Sequence, residues 1–372
     1  MAGPVPAIRF PKAVQVSLTS GKWMAATRAA MTGFGIRTGF AMKHRRKAHA
    51  AAIALTFLLA PAVSHAEVHK IVFDKFEMDI SESETAQLFH IVDQLSQWDQ
   101  YAHKQYVRWA AKSLALDDED RRLLQQHAEL HRRHGYGNRL EQAFLVDKSL
   151  DVAARDAVKD GLLNEADANS ERAILLHFAP KLTPLMQQQK PAMDRFIQQL
   201  DNDHDRLAPI IAELIAFCEI KSKISVPVFL VANPDVKDGG GEANGGRLVV
   251  EAPSVDPRSF LLHESLHRLL ESHKQEIADV AKASGLDFET LNEVVAYAFA
   301  PGLTNDGTSD DLLADQVANL EYRGEKLKDS SLLINTMAMV VRPVLRQSLR
   351  DHETFSVFLP KAVQKWRSIV PQ

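Results

Sequence analysis

The sequence predicts a mainly α-helical protein with a small β-sheet, an α+β chain, on three observations. Apolar residues recur every three to four positions from residue 84 to about residue 218. Two short β-branched runs, 226–231 and 247–251, follow and are separated by glycines. Directly after the second run, Asp256-Pro257 supplies a helix cap with proline at the first helical position.

The N-terminal 66 residues stand apart from the rest because they hold nine Lys or Arg and no Asp or Glu. Lys43-His44-Arg45-Arg46-Lys47 is a basic segment, 48–59 a short apolar run, and Ser64-His65-Ala66 offers small residues for cleavage. That order is the order of a secretory signal peptide. The apolar run falls short of the roughly 20 residues that span a bilayer. The expectation is therefore a cleaved signal, a periplasmic or secreted protein and no stable membrane insertion afterwards. Because such a basic segment normally opens a chain, Met42 is the expected start, with 1–41 an over-extended reading frame or an unstructured leader. Taking nine from the 44 basic residues leaves 35 against 48 acidic ones. An acidic surface argues against nucleic acid as a partner. Cys218, the single cysteine, lies in an apolar run and excludes an intramolecular disulfide.

Two regions follow, a helical region over 67–220 and a second over 221–372. In the first, Leu88, Val92, Leu95 and Trp98 line one helix face. A helix from about residue 118 to 134 stops at Gly135-Tyr136-Gly137 and carries His127, His131 and His134 on the face of Leu123 and Leu130. Their spacing is one that metal ligands would have, but those histidines read as a partly buried stripe, with a contribution to the active site as the sharper alternative. Another helix follows Pro191, and Pro209 starts or kinks the next. In the second region, the glycine-rich stretch 239–246 lacks a following Lys-Ser or Lys-Thr, so it reads as a hairpin connection and not a phosphate cradle. The helix from Pro257 continues through Leu261, Leu262, Leu266, Leu269 and Leu270. A further helix starts with Asp287 as cap and ends at Pro301-Gly302, and 310–366 again has helical periodicity.

The chemistry concentrates in His263-Glu264-Ser265-Leu266-His267. Residues four apart share a helix face, so His263 and His267 can present ring nitrogens to one Zn2+ ion. Glu264, beside them, is placed to accept a proton from water rather than to bind the ion. A catalytic zinc takes three protein ligands, and two residues compete for the third place. Glu293 lies in Asn292-Glu293-Val294-Val295-Ala296 on the next helix, 26 residues beyond His267. His273 is the other. If the helix runs on through Leu270, His273 faces about 240° away from His267, which favours Glu293.

These residues resemble the zincin metallopeptidases, and among them the gluzincin branch typified by thermolysin, over about 226–300. The Asn-Glu-x-x-Ala segment is similar to that of thermolysin-like aminopeptidases. The resemblance implies zinc held by His263, His267 and Glu293, Glu264 as general base, and a peptide or protein as substrate. It also implies an edge strand that pairs with the substrate, for which 247–251 is the natural candidate, and an oxyanion stabiliser, for which Tyr297, Tyr322 and Arg323 are candidates. Tyr297 stands where thermolysin has an aspartate supporting a ligand histidine, so that support must come from elsewhere. A catalytically inactive zincin fold acting as a binding or scaffold protein is the alternative, against which the retained Glu264 argues.

Overall fold

The computed structural model describes residues 68–98, 102–134, 139–235, 240–244, 246–252, 257–300 and 330–369. The signal-like segment, Tyr322 and Arg323 lie outside the described residues. The chain is mainly helical with a small, mixed, five-stranded sheet.

The sheet begins with a hairpin that the helical reading of 67–220 did not anticipate. Strands β1 (His69–Phe73) and β2 (Phe76–Ser81) pair antiparallel around a two-residue turn. Asp74 takes φ 52° in that turn, a left-handed conformation that Asp tolerates better than most residues. Ile71, Phe73, Phe76, Met78 and Ile80 are all buried, two residues apart along each strand, as a strand's period requires. The three remaining strands are β3 (Ile224–Ala232), β4 (Gly241–Asn244) and β5 (Arg247–Ala252), in the sheet order β1-β2-β3-β5-β4. β2, β3 and β5 run parallel, while β1 and β4 are antiparallel edges. The pairing of β2 with β3 joins the two regions that the sequence divides at 220–221. In β3, residues 228–232 are all buried, because helices cover a parallel sheet and leave its strands no polar face.

Two expectations are corrected here. The run 247–251 is not the edge strand, since β5 is hydrogen-bonded to β3 on one side and β4 on the other. The glycine-rich stretch is not only a connection, because Gly241–Asn244 within it forms β4, the edge itself. Leu248, Val249 and Val250 are buried on both faces, which suits an interior strand and explains the order.

Among the described residues, six helices lie between β2 and β3: α1 (Glu84–Ser96), α2 (Lys104–Ser113), α3 (Asp118–His134), α4 (Arg139–Phe144), α5 (Leu150–Lys159) and α6 (Glu165–Phe217). The last spans 53 residues, with Pro180, Pro184, Pro191 and Pro209 inside it. The helix runs on through the two prolines at which the sequence suggests new starts. Its buried face, from Ile174 through Phe178, Leu182, Met193, Phe196 and Leu200 to Leu214, keeps the helical period throughout.

After the sheet come α7 (Pro257–Leu270), a 3-10 turn at Glu271–His273, α8 (Lys274–Ser284), α9 (Phe288–Phe299), α10 (Ser330–Arg350) and α11 (Phe355–Ile369). Gly285, at φ 72°, ends α8. The Asp287 side chain caps α9 by accepting the Thr290 N–H at 2.7 Å. One continuous hydrophobic core reaches from β1 to Trp366.

Candidate metal centre

α7 and α9 pack together and bring three side chains to one point. His263 and His267 lie one turn apart on α7, as the spacing predicts, and Glu293 on α9 faces both. His263 Nε2 is 3.3 Å from His267 Nε2 and 3.2 Å from Glu293 Oε2, and His267 Nε2 is 3.3 Å from Glu293 Oε1. Ligands about 2.05 Å from a tetrahedral zinc stand about 3.3 Å from one another. All three separations therefore fit a zinc ion among these donors. With its Nδ1–H directed at the Ala300 carbonyl, a neutral His263 would set its Nε2 lone pair against the Glu293 carboxylate, and a cation between them, either a proton or a metal, relieves that repulsion.

The far sides of both rings are fixed. His263 Nδ1 donates to the Ala300 carbonyl at 3.4 Å, and the Tyr297 ring lies 4.4 Å from the His263 ring, packed against it. Asn292 Nδ2 stands 3.0 Å from His267 Nδ1. The oxygen and nitrogen of a terminal amide exchange places by a half turn. With Oδ1 in that place, Asn292 accepts the His267 Nδ1–H and leaves the Nε2 lone pair free for an ion. In that orientation the Asn292 amide supplies the support that the sequence left unassigned.

Electrostatics follow from burial and charge. Burial opposes the charge on His267, yet Glu293 outweighs it and lifts the imidazole to about 9. Burial likewise opposes ionisation of Glu293, but His267 and His263 hold its carboxyl below the usual range. An incoming metal must displace the His267 proton, so the two compete. Glu264 ligates nothing in this group. Burial pushes its carboxyl up, against the pull of His263 and His267 and with help from Glu293 and Glu242. A carboxyl adjusted upward is suited to taking and returning a proton.

His273 sits elsewhere. The helix breaks into the 3-10 turn, and His273 donates through Nε2 to the Cys218 carbonyl at 2.9 Å and pairs through Nδ1 with Glu276 at 3.0 Å. Burial pushes the Cys218 thiol up to about 12, which leaves it unreactive.

Sequence reading missed the polar network beside the centre. His90 on α1 is fully buried and lies between Glu242 of β4, 3.0 Å from Nδ1, and Glu251 of β5, 3.1 Å from Nε2. His103 Nδ1 meets the same Glu251 oxygen at 2.5 Å, and the Gly240 N–H donates to the other at 2.9 Å. Burial opposes a charge on His90, but Glu242 and Glu251 carry it to about 10. This network anchors the edge strand next to Glu264. The one visible signal was an acidic residue closing a run otherwise fit for a sheet interior. Of the three histidines on α3, His134 pairs with Asp167 at 3.3 Å, while His127 and His131 are fully buried and meet Asp93. The stripe is thus split, and two of its members are more deeply buried than expected.

Comparison with known protein families, curated proteins and solved structures finds no match.

Proposed function

We propose that the protein is a zinc-dependent hydrolase, a metallopeptidase, exported and active outside the cytoplasm. The observation that carries this reading is the meeting of His263, His267 and Glu293 at tetrahedral spacing with an unligated carboxylate, Glu264, beside them. A zinc ion bound there supplies the electrophile, polarising a carbonyl and bringing the acidity of water toward neutrality. Glu264 takes the proton from the attacking water and returns it to the leaving amine. Asn292 and the Ala300 carbonyl keep the two imidazoles in the tautomer that ligation needs. Among the described residues no strand lies outside β4, so an extended peptide can add to that edge. The proposal of export rests on the basic and apolar segments before residue 67. No helix among the described residues is long and apolar enough to cross a membrane.

Glu264→Gln tests the reading. With a denatured-protein substrate, the unaltered chain is expected to cleave and the variant to lose about 10²–10⁴-fold in rate, with its zinc retained. An unaltered chain that binds zinc and cleaves no peptide would instead make it a binding or scaffold protein.

A further inference from the structure

A second group of ligand-type side chains lies wholly inside the N-terminal helices, away from α7 and α9. His127 and His131 stand four residues apart on α3, and Asp93 reaches them from α1. One carboxylate oxygen, Asp93 Oδ1, lies 3.1 Å from His127 Nε2 and in still closer contact with His131 Nδ1. The outer nitrogens also face carboxylates. Glu171 on α6 is 2.9 Å from His127 Nδ1, and Glu141 on α4 is 3.0 Å from His131 Nε2. A neutral imidazole has a single N–H. Each ring therefore meets two acceptors with one donor, and the balance is met either by a second proton on each ring or by a metal cation where the rings converge on Asp93.

We propose that Asp93, His127 and His131 are the protein ligands of a second, structural metal ion, a divalent first-row transition ion of the zinc type. With Nδ1–H of His127 donated to Glu171 and Nε2–H of His131 donated to Glu141, each ring keeps one lone pair, and both lone pairs point at Asp93 Oδ1. Carboxylates on the outer nitrogens are the arrangement that holds metal-binding imidazoles in place. Two nitrogens and one oxygen suit zinc and its neighbours, whereas calcium and magnesium require oxygen ligands. The Trp98 indole N–H donates to Asp93 Oδ2 at 3.1 Å, and the Trp98 ring stacks on His131 at 3.9 Å, which fixes the remaining carboxylate oxygen and shields the group from solvent. The position after His127 is Ala128, where α7 has Glu264 after His263, so the carboxylate assigned as base at α7 has no counterpart at that position. The ion clamps α1 to α3. Because α1 also carries His90, the same clamp steadies the network that holds β4.

The test is the zinc content of the full chain, purified from zinc-supplemented culture and dialysed free of loosely held metal. The inference expects two zinc ions per chain in the unaltered protein and one in His263→Ala/His267→Ala, which strips the α7 centre and leaves α1 and α3 untouched. Should that double variant fail to fold, Glu293→Gln takes its place. X-ray absorption at the zinc edge of the one-zinc form is expected to show imidazole ligands, and chelation of that form is expected to lower its melting temperature. A folded double variant without zinc, or an unaltered chain whose whole zinc content disappears with the α7 ligands, overturns the inference. One zinc that persists in the double variant and equals the content of the unaltered chain would sink the proposal for α7 and leave this one standing.

Discussion

The α7–α9 centre and the α1–α3 cluster are built alike and placed differently. Each has two histidines four apart on one helix and a carboxylate delivered by another. At the first, side-chain exposure is 8% for His263, 17% for His267 and 18% for Glu293. At the second it is 0% for both His127 and His131 and 6% for Asp93. Around α7 the outer nitrogens meet a carbonyl and an amide, and Glu264 stands free. Around α3 they meet two carboxylates, and the corresponding neighbour is an alanine. The shared arrangement is two imidazoles and a carboxylate turned toward one another. Access and the adjacent residue decide whether such a site can process a substrate or only hold helices together.

The comparison breaks most sharply at Glu264. Glu264→Gln is expected to cut peptide hydrolysis by about 10²–10⁴-fold while leaving the melting temperature nearly unchanged, as activity assays and thermal denaturation would show. Asp93→Ala should do the reverse to the fold, because it strands two buried imidazoles and their carboxylates. A loss of about 3–5 kcal/mol in unfolding free energy is expected from denaturant titration, and a loss under about 1 kcal/mol would contradict the stability role assigned to the cluster. Asn292→Ala probes a supporting contact, and zinc affinity at α7 is expected to weaken about 10–100-fold by competition with a chelator, with little change in stability.

The smallest effect is a pH dependence, read at His90. Its pKa is raised from 6.5 to about 10, so its stabilising contribution is complete below about pH 6.5 and is lost as pH rises through about 10. Glu251, held below its ordinary value of 4.5 by His103 and His90 despite burial, contributes above about pH 4.5 and loses that contribution in acid. The difference in melting temperature between the unaltered chain and His90→Gln should therefore be widest between about pH 4.5 and 6.5 and narrow toward pH 10. A difference that widens with rising pH would contradict the charged state assigned to His90.

Local chemistry was legible in the sequence. The i, i+4 histidines, the Asp287 cap and the strand character of 226–231 all depend on neighbours within one turn or one pleat. Glu293 was readable because it sits in a recognisable segment, although α8 stands between its helix and α7. Partners at long range were not readable. Asp93 meets His127 from 34 residues away and Glu251 meets His90 from 161, with nothing local to mark either pairing. Prolines overstated the breaks in α6, because a long buried face kept the helix together. The β1–β2 hairpin did carry a signal, alternating apolar residues on either side of Asp74, but it was overshadowed by the helical periodicity that follows.

The parallel pairing of β2 with β3 also bears on how the chain assembles. Phe76 of β2 meets Ile224 of β3, so the sheet closes only after helices α1 to α6 have been made. Contacts so distant along the chain are formed slowly. Synthesis runs from the N-terminus, so the hairpin exists long before its neighbour is made, and β2 meanwhile presents an unpaired apolar edge. β1 covers the other edge from the start. The period before β3 emerges is therefore the interval in which aggregation threatens this protein and in which a holding chaperone would be most useful.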